Sequence, residues 1–166
     1  LRWARVGDAL TLDPHSANEG PTSTLLHHIY ETLVRRDTDG SLKPRLATEW
    51  YIDPKDPSTW VFKLRPGVKF HNGADFTAED VVASVTRVTS ATSDFKGLHT
   101  SVASATAADP LTVRIKMKGP SPLYVQNLTN FFIVDKGWIE ANNALAPQDF
   151  KAGEEKYTVR NTNGTG

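Results

Sequence analysis

The sequence predicts a mixed α/β or α+β fold, and three observations carry that prediction. Leu111, Val113, Ile115 and Met117 alternate with Thr112, Arg114, Lys116 and Lys118 between Asp109-Pro110 and Gly119-Pro120, the period of a strand with one buried face. Trp60, Phe62 and Leu64 alternate in the same way with Val61, Lys63 and Arg65. In contrast, Leu25, Leu26, Ile29, Leu33 and Val34 recur at helical spacing and form one apolar stripe.

Taken in order, Leu1–Val6 reads as a strand with no signal-peptide core before it, so any export leader is expected to have been removed. Asn18-Glu19-Gly20-Pro21 is a loop, and a helix is expected to start near Thr22 or Ser23. A turn at Asp37–Gly40 leads to a short strand at Leu46–Tyr51, which Asp53-Pro54-Lys55-Asp56-Pro57 ends. After the two alternating strands, Ser121-Pro122 reads as a cap with proline in the first helical position, opening a helix through Leu128. Phe131–Val134 reads as an apolar strand and Gly137–Leu145 as a last helix. The polar end, Asn161–Gly166, suggests truncation.

The stretch Leu64–Asp80 is dense in charge and needs its own account. Pro66-Gly67 fits the centre of a type II turn, where proline sets φ and glycine accepts the positive φ that follows. Val68-Lys69-Phe70 is expected to return beside Trp60–Phe62, and Asn72-Gly73 supplies the next bend. Thr77 is an N-cap with Asp80 as its partner three residues on, and Phe76 is placed to staple against Val81. The helix dipole should favour Glu79 and Asp80 as anions, which makes poor proton donors. Turn and cap chemistry therefore explains the stretch without a reaction.

Composition narrows the function classes. Nineteen basic and nineteen acidic side chains cancel, which removes the bulk electrostatic case for a nucleic-acid partner. The chain has no cysteine, so disulfides and thiolate metal sites are excluded. The sequence contains no nucleophile elbow, phosphate-cradling loop, zincin pair or calcium loop. His27, His28 and Glu31 are too few for a metal centre, and His27 with Glu31 reads as a solvated pair on one helix face. No cofactor is implied.

Phe62-x-Leu64-Arg65-x-Gly67-Val68-Lys69-Phe70-His71-x-Gly73 followed by Phe76–Val81 resembles the signature segment of the family 5 solute-binding proteins of bacterial ABC transporters. Thr11–Pro14, Ile29–Val34, Leu42–Trp50 and Asn163–Gly166 resemble the same family in the same order; the last is similar to its Gly-Thr-Gly element. Asn72, where the family commonly has aspartate, suits the same turn. The resemblance implies the N-terminal portion of a type II periplasmic-binding-protein fold. Residues 1–31 would open the first lobe, 32–134 would form an extra small domain, and 135–166 would return toward the first lobe, with the second lobe absent. It also implies a periplasmic, non-enzymatic protein that binds a peptide or other small solute and delivers it to a membrane permease.

Gly20 lets backbone approach a ligand and the following helix start favours anions, but an ordinary strand-to-helix connection with a capped start fits Asn18, Glu19, Gly20, Pro21 and Thr22 equally well; the resemblance, in which the similar loop lines the cleft, makes them the first candidate contact loop. Resemblance adds Phe95, Leu98 and His99 from the extra domain, and Asn130 and Phe131 at the crossing back to the first lobe. Two other readings stand beside this one. A small hydrolase would use His71 with Asp75, and a freestanding protein-interaction module would have both termini tied into a complete fold.

Overall fold

The computed structural model describes residues 7–166, so the strand expected at Leu1–Val6 lies outside the described residues. In chain order the elements are α1 (Gly20–Leu26), β1 (Val34–Arg36), β2 (Leu42–Pro44), β3 (Ala47–Ile52), β4 (Thr59–Leu64), α2 (Ala78–Val88), β5 (Val102–Asp109), β6 (Thr112–Met117) and α3 (Lys136–Ala141). Tight 3-10 turns occupy Lys96–His99, Tyr124–Asn130 and Tyr157–Val159. β1 and β2 form a two-stranded ribbon, while the main sheet runs β3-β4-β6-β5 with every neighbour antiparallel.

The alternating strands predicted from sequence are β4 and β6, and they lie side by side at the sheet centre. Phe62 pairs with Val113 and Trp60 with Ile115, so the apolar residues of both strands share one face. That face packs under α2, whose Val81, Val85 and Val88 meet Phe62, Ile115, Met117 and Phe95 in the larger core. A side chain buried like Phe62 contributes about 1.5–3 kcal/mol. β4 is buried on more than the one expected face. Val61 stands opposite Tyr51 on β3 and Arg114 on β6, and these flanking strands leave it buried too.

Several local expectations are corrected. The α1 stripe ends at Leu26; Leu33 and Val34 turn into the larger core, because the chain crosses there from α1 to the β1–β2 ribbon. Val68–Phe70 does not lie beside β4, whose two edges are taken by β3 and β6; it folds onto its own continuation, with Phe76 N donating to Val68 O at 3.0 Å. The helix expected from Pro122 is the 3-10 turn beginning at Tyr124. Phe131–Val134 makes a single bridge, Thr32 with Phe132, in place of a strand. α3 stops at Ala141, and Asn143 adopts a left-handed φ of 54° just beyond it.

The turn and cap reading of Leu64–Asp80 holds. Gly67 and Gly73 have φ of 74° and 88°, the left-handed region their turns require. Asp80 Oδ2 accepts from Thr77 N at 2.8 Å, and Asp80 Oδ1 accepts from Lys136 N at 2.9 Å, so one carboxylate ties the start of α2 to the start of α3. The dipole argument for Asp80 is outweighed: its burial pushes the carboxyl pKa up despite hydrogen bonds from Lys136 and Thr77 that oppose the shift.

A second, smaller apolar cluster of Leu26, Tyr30, Phe132, Val134, Ile139 and Ala144 lies beyond α2. The contact around it is polar. Arg87, on α2, is fully buried and grips Asp13 with both terminal nitrogens, NH1 to Oδ1 at 2.8 Å and NH2 to Oδ2 at 2.6 Å. Gln148 N, His15 N and the Thr158 hydroxyl also donate to the Asp13 carboxylate, and Arg87 Nε reaches Ala144 O at 2.9 Å. One ion pair thus fixes the Asp13 loop, α2 and the chain after α3 together.

Candidate functional site

α1 begins differently from the sequence expectation. Its N-cap is Glu19, whose Oε1 accepts from Thr22 N at 2.6 Å, and Thr22 in turn accepts Leu10 N at its hydroxyl at 2.9 Å. The positive end of this short helix is already occupied by its own carboxylate, so Gly20 and the exposed Asn18 offer backbone and amide surface in place of an open anion site. The loop is braced from behind: Asn18 N donates to Asp94 Oδ2 at 3.3 Å, and Asp94 N donates to His15 O at 3.2 Å.

These contacts put the Asn18 loop at the edge of a cavity of about 140 Å³ lined by Ser16, Thr92, Ser93, Asp94, Lys96 and Phe150, among others. Its wall mixes hydroxyls, one aromatic face and charges of both signs. Lys151 Nζ lies 3.3 Å from Asp94 Oδ1 on a side chain 85% exposed, so this ammonium can leave the carboxylate at little cost. Sequence reasoning missed Ser16, Asp94, Phe150 and Lys151, because they converge from segments more than fifty residues apart with no local motif to mark them.

The other candidates fall into separate places. Phe95, His99 and Phe131 are buried: Phe95 and Phe131 belong to the larger core, and His99 Nδ1 lies 2.9 Å from the Tyr124 hydroxyl with its ring 5.4 Å from Phe131. Burial lowers the His99 pKa to about 4. Leu98 is partly exposed, and its carbonyl accepts from Asn127 Nδ2 at 2.7 Å. Asn130 is exposed at the far end of α1, where its Oδ1 is 3.4 Å from His27 Nε2. The expected solvated pair of His27 with Glu31 is replaced: Glu31 accepts from Arg45 Nε at 3.2 Å and from the Thr165 hydroxyl at 2.9 Å, since the neighbouring chain supplies better donors.

His71 and Asp75, the pair a hydrolase would need, are both exposed and do not meet. Asp75 Oδ1 lies 2.6 Å from Lys69 Nζ. His71 instead holds the chain end: its N donates to Gly164 O at 2.9 Å, Gly164 N donates to its Nδ1 at 3.3 Å, and its Nε2 donates to Gly166 O at 2.8 Å. Asn163 is clasped by Asn72 N and Asp135, and a Cβ on Gly164 would stand 1.9 Å from Ile29 O. Gly164, at the head of the Gly-Thr-Gly element, is therefore packed where no side chain fits.

Comparison with solved structures defines the class. DppA from Helicobacter pylori, a periplasmic binding protein in complex with the peptide STSA, superposes over 96% of this chain and 34% of its own with a TM-score of 0.76 at 26% identity. MoaA from A. tumefaciens R10, in complex with mannopinic acid, superposes over 96% of this chain and 31% of its own with a TM-score of 0.78 at 32% identity. The fold is that of part of a periplasmic binding protein.

The family follows from the sequence. The family model described as "Bacterial extracellular solute-binding proteins, family 5 Middle" matches residues 41–166, and the chain belongs to that family. The glutathione-binding protein GsiB of Escherichia coli K12 is 34% identical over 122 residues, covering 72% of this chain and 24% of its own length. The chain thus spans between a quarter and about a third of these relatives.

Proposed function

We propose that this chain is the N-terminal part of a solute-binding protein that works outside the cytoplasmic membrane and hands a small solute to an ABC permease. Its role is recognition, with no bond of the solute made or broken. In the intact protein two lobes would close over the solute and bury it, and the closed form would be the one the permease reads. The observation that carries this reading is family membership combined with the braced Asn18 loop at the rim of a small mixed-charge recess. Relatives that bind a peptide, mannopinic acid and glutathione, all solutes bearing carboxylates and nitrogen groups, support a ligand of that kind.

Within this reading, Asn18, Glu19, Gly20, Pro21 and Thr22 present the contact edge, and Leu98 and Asn130 offer exposed surface apart from it, on the extra domain. Phe95, His99 and Phe131 act from behind, by holding the 3-10 turns that shape it. Residues 1–31 and 135–166 would belong to the first lobe and 32–134 to the extra domain, a division the two apolar clusters follow in part, since Phe132 and Val134 join Leu26, Tyr30 and Ile139 in the smaller one.

A thermal-shift screen of the protein against short peptides, opines, glutathione and sugars tests the proposal. A solute at a hundred times its Kd should add about 2.7 kcal/mol to stability. The solute should be recovered chemically unchanged. Turnover of any of these compounds, abolished by His71→Ala in a folded protein, would overturn the reading.

A further inference from the structure

The far end of α1 carries a second feature, separate from the recess. His27, Arg35, Arg36, Arg45, Thr129 and Asn130 line an open groove of about 460 Å³. Three guanidinium side chains border this one groove in a chain whose formal net charge is zero. Two of them have carboxylate neighbours: Arg45 lies 3.2 Å from Glu31, and Arg35 lies 3.5 Å from Asp37. Arg36 differs, because its hydrogen bonds go to neutral oxygens, Gly40 O at 2.9 Å and Gln126 Oε1 at 2.6 Å. Lys43 stands directly opposite Arg35 in the ribbon register, and Asp37 is the carboxylate that lies near both cations.

We propose that this groove binds a small, doubly charged oxyanion of the phosphate type, with Arg36 as its main contact. A guanidinium presents forked N–H donors that match two oxygens of such an anion, and Arg36 would exchange weak neutral acceptors for charged ones. The Thr129 hydroxyl, which now donates to Gln126 O at 3.1 Å, and the Asn130 amide add neutral donors at the rim. The groove is open to solvent, so binding is weak and falls as salt rises.

His27 supplies the reporter. Burial is the main cause that lowers its pKa; Asn130 opposes the shift, and the charges of Arg45 and His28 add to it. Its surroundings are Arg45 from the segment before β3, Asn130 from the 3-10 turn, the Phe132 ring 4.8 Å away, and His28 on its own segment. An oxyanion placed among Arg35, Arg36 and Arg45 would favour the imidazolium and raise that pKa.

The test is a titration of the protein with sodium phosphate at constant ionic strength, following the His27 imidazole by heteronuclear NMR. The expected result is a saturable shift with a higher His27 pKa in phosphate than in chloride. Arg36→Gln should weaken phosphate binding roughly tenfold, the loss of one charge-assisted contact, while the fold and solute binding persist. Gln126→Ala, which removes a neutral competitor for Arg36, should leave binding as tight or tighter. The inference is overturned by a shift that chloride reproduces, by Arg36→Gln binding as well as the parent, or by attachment to phosphatidylglycerol vesicles with no response to inorganic phosphate.

Discussion

The sheet core and the seam around Asp13 hold two parts of the same molecule together by opposite means. Under α2, Phe62, Ile115, Met117, Val85 and Phe95 interlock with no charge among them. Across the seam, a fully buried arginine and carboxylate meet, and five donors converge on the two Asp13 oxygens. The first arrangement gains stability from area removed from water and tolerates change of shape within limits. The second is close to break-even while complete, yet costly when half of it is removed. Burial alone would push the Asp13 carboxyl up, but the Arg87 charge and the hydrogen bonds from Arg87, Thr158 and His15 hold it at about 2.

The comparison can be broken at its strongest point. Asp13→Ala leaves Arg87 buried without its partner and should cost about 3–5 kcal/mol, read as a lowered urea midpoint. Asp13→Leu combined with Arg87→Met removes both charges but leaves Gln148 N, His15 N, the Thr158 hydroxyl and Ala144 O without those partners, so it should recover only part of that loss, whereas no second substitution is expected to rescue Phe62→Ala, whose cost of about 3–5 kcal/mol comes from a cavity. If the double variant proves less stable than Asp13→Ala, the unpaired Arg87 charge is not the main cost of breaking the seam.

Acid should separate the two regions next. Arg87 can only donate and Phe132 O can only accept, so His15 is neutral with Nδ1 facing Arg87 and the proton on Nε2. Burial first, then the Arg87 charge, lowers its pKa from 6.5 to about 3. Its folded value is depressed, so the unfolded chain takes up the proton first. The stability it contributes is complete above about pH 6.5 and declines as pH falls toward about 3; Asp13 adds a further loss between about 3.8 and 2. His15→Gln should flatten the upper part of that decline in pH-dependent thermal melts, while Phe62→Ala should leave its slope unchanged.

Smaller effects sharpen the picture at the chain end. Gly164→Ala must push Ile29 or the tail aside and should cost about 1–3 kcal/mol, with faster amide exchange at His71 and Asn72. Lys69→Ala removes an ion pair whose side chains are mostly exposed and should change stability by less than about 0.5 kcal/mol.

How far the sequence could be read follows the same division. β4, β6 and the capped start of α2 were legible because period-two alternation and a Thr77–Asp80 box are local signals that packing merely ratifies. The end of α1 was not, since Leu33 and Val34 keep helical spacing while serving a different core. Nor was the recess: Asn18 was visible as a loop residue, but Asp94 and Lys151 reach it only through tertiary contacts. Arg87 shows the limit most plainly, because an arginine on an apolar helix face gives no hint of a carboxylate seventy-four residues earlier.

Hydrogen exchange of the protein with and without its tightest solute bears most directly on the claim that the Asn18 loop and the Asp94 recess meet the ligand. The account predicts slowed exchange concentrated at residues 16–22 and 91–96 on binding, lost together with affinity in Glu19→Ala. Protection confined to other segments, with Glu19→Ala binding as tightly as the parent, would contradict it.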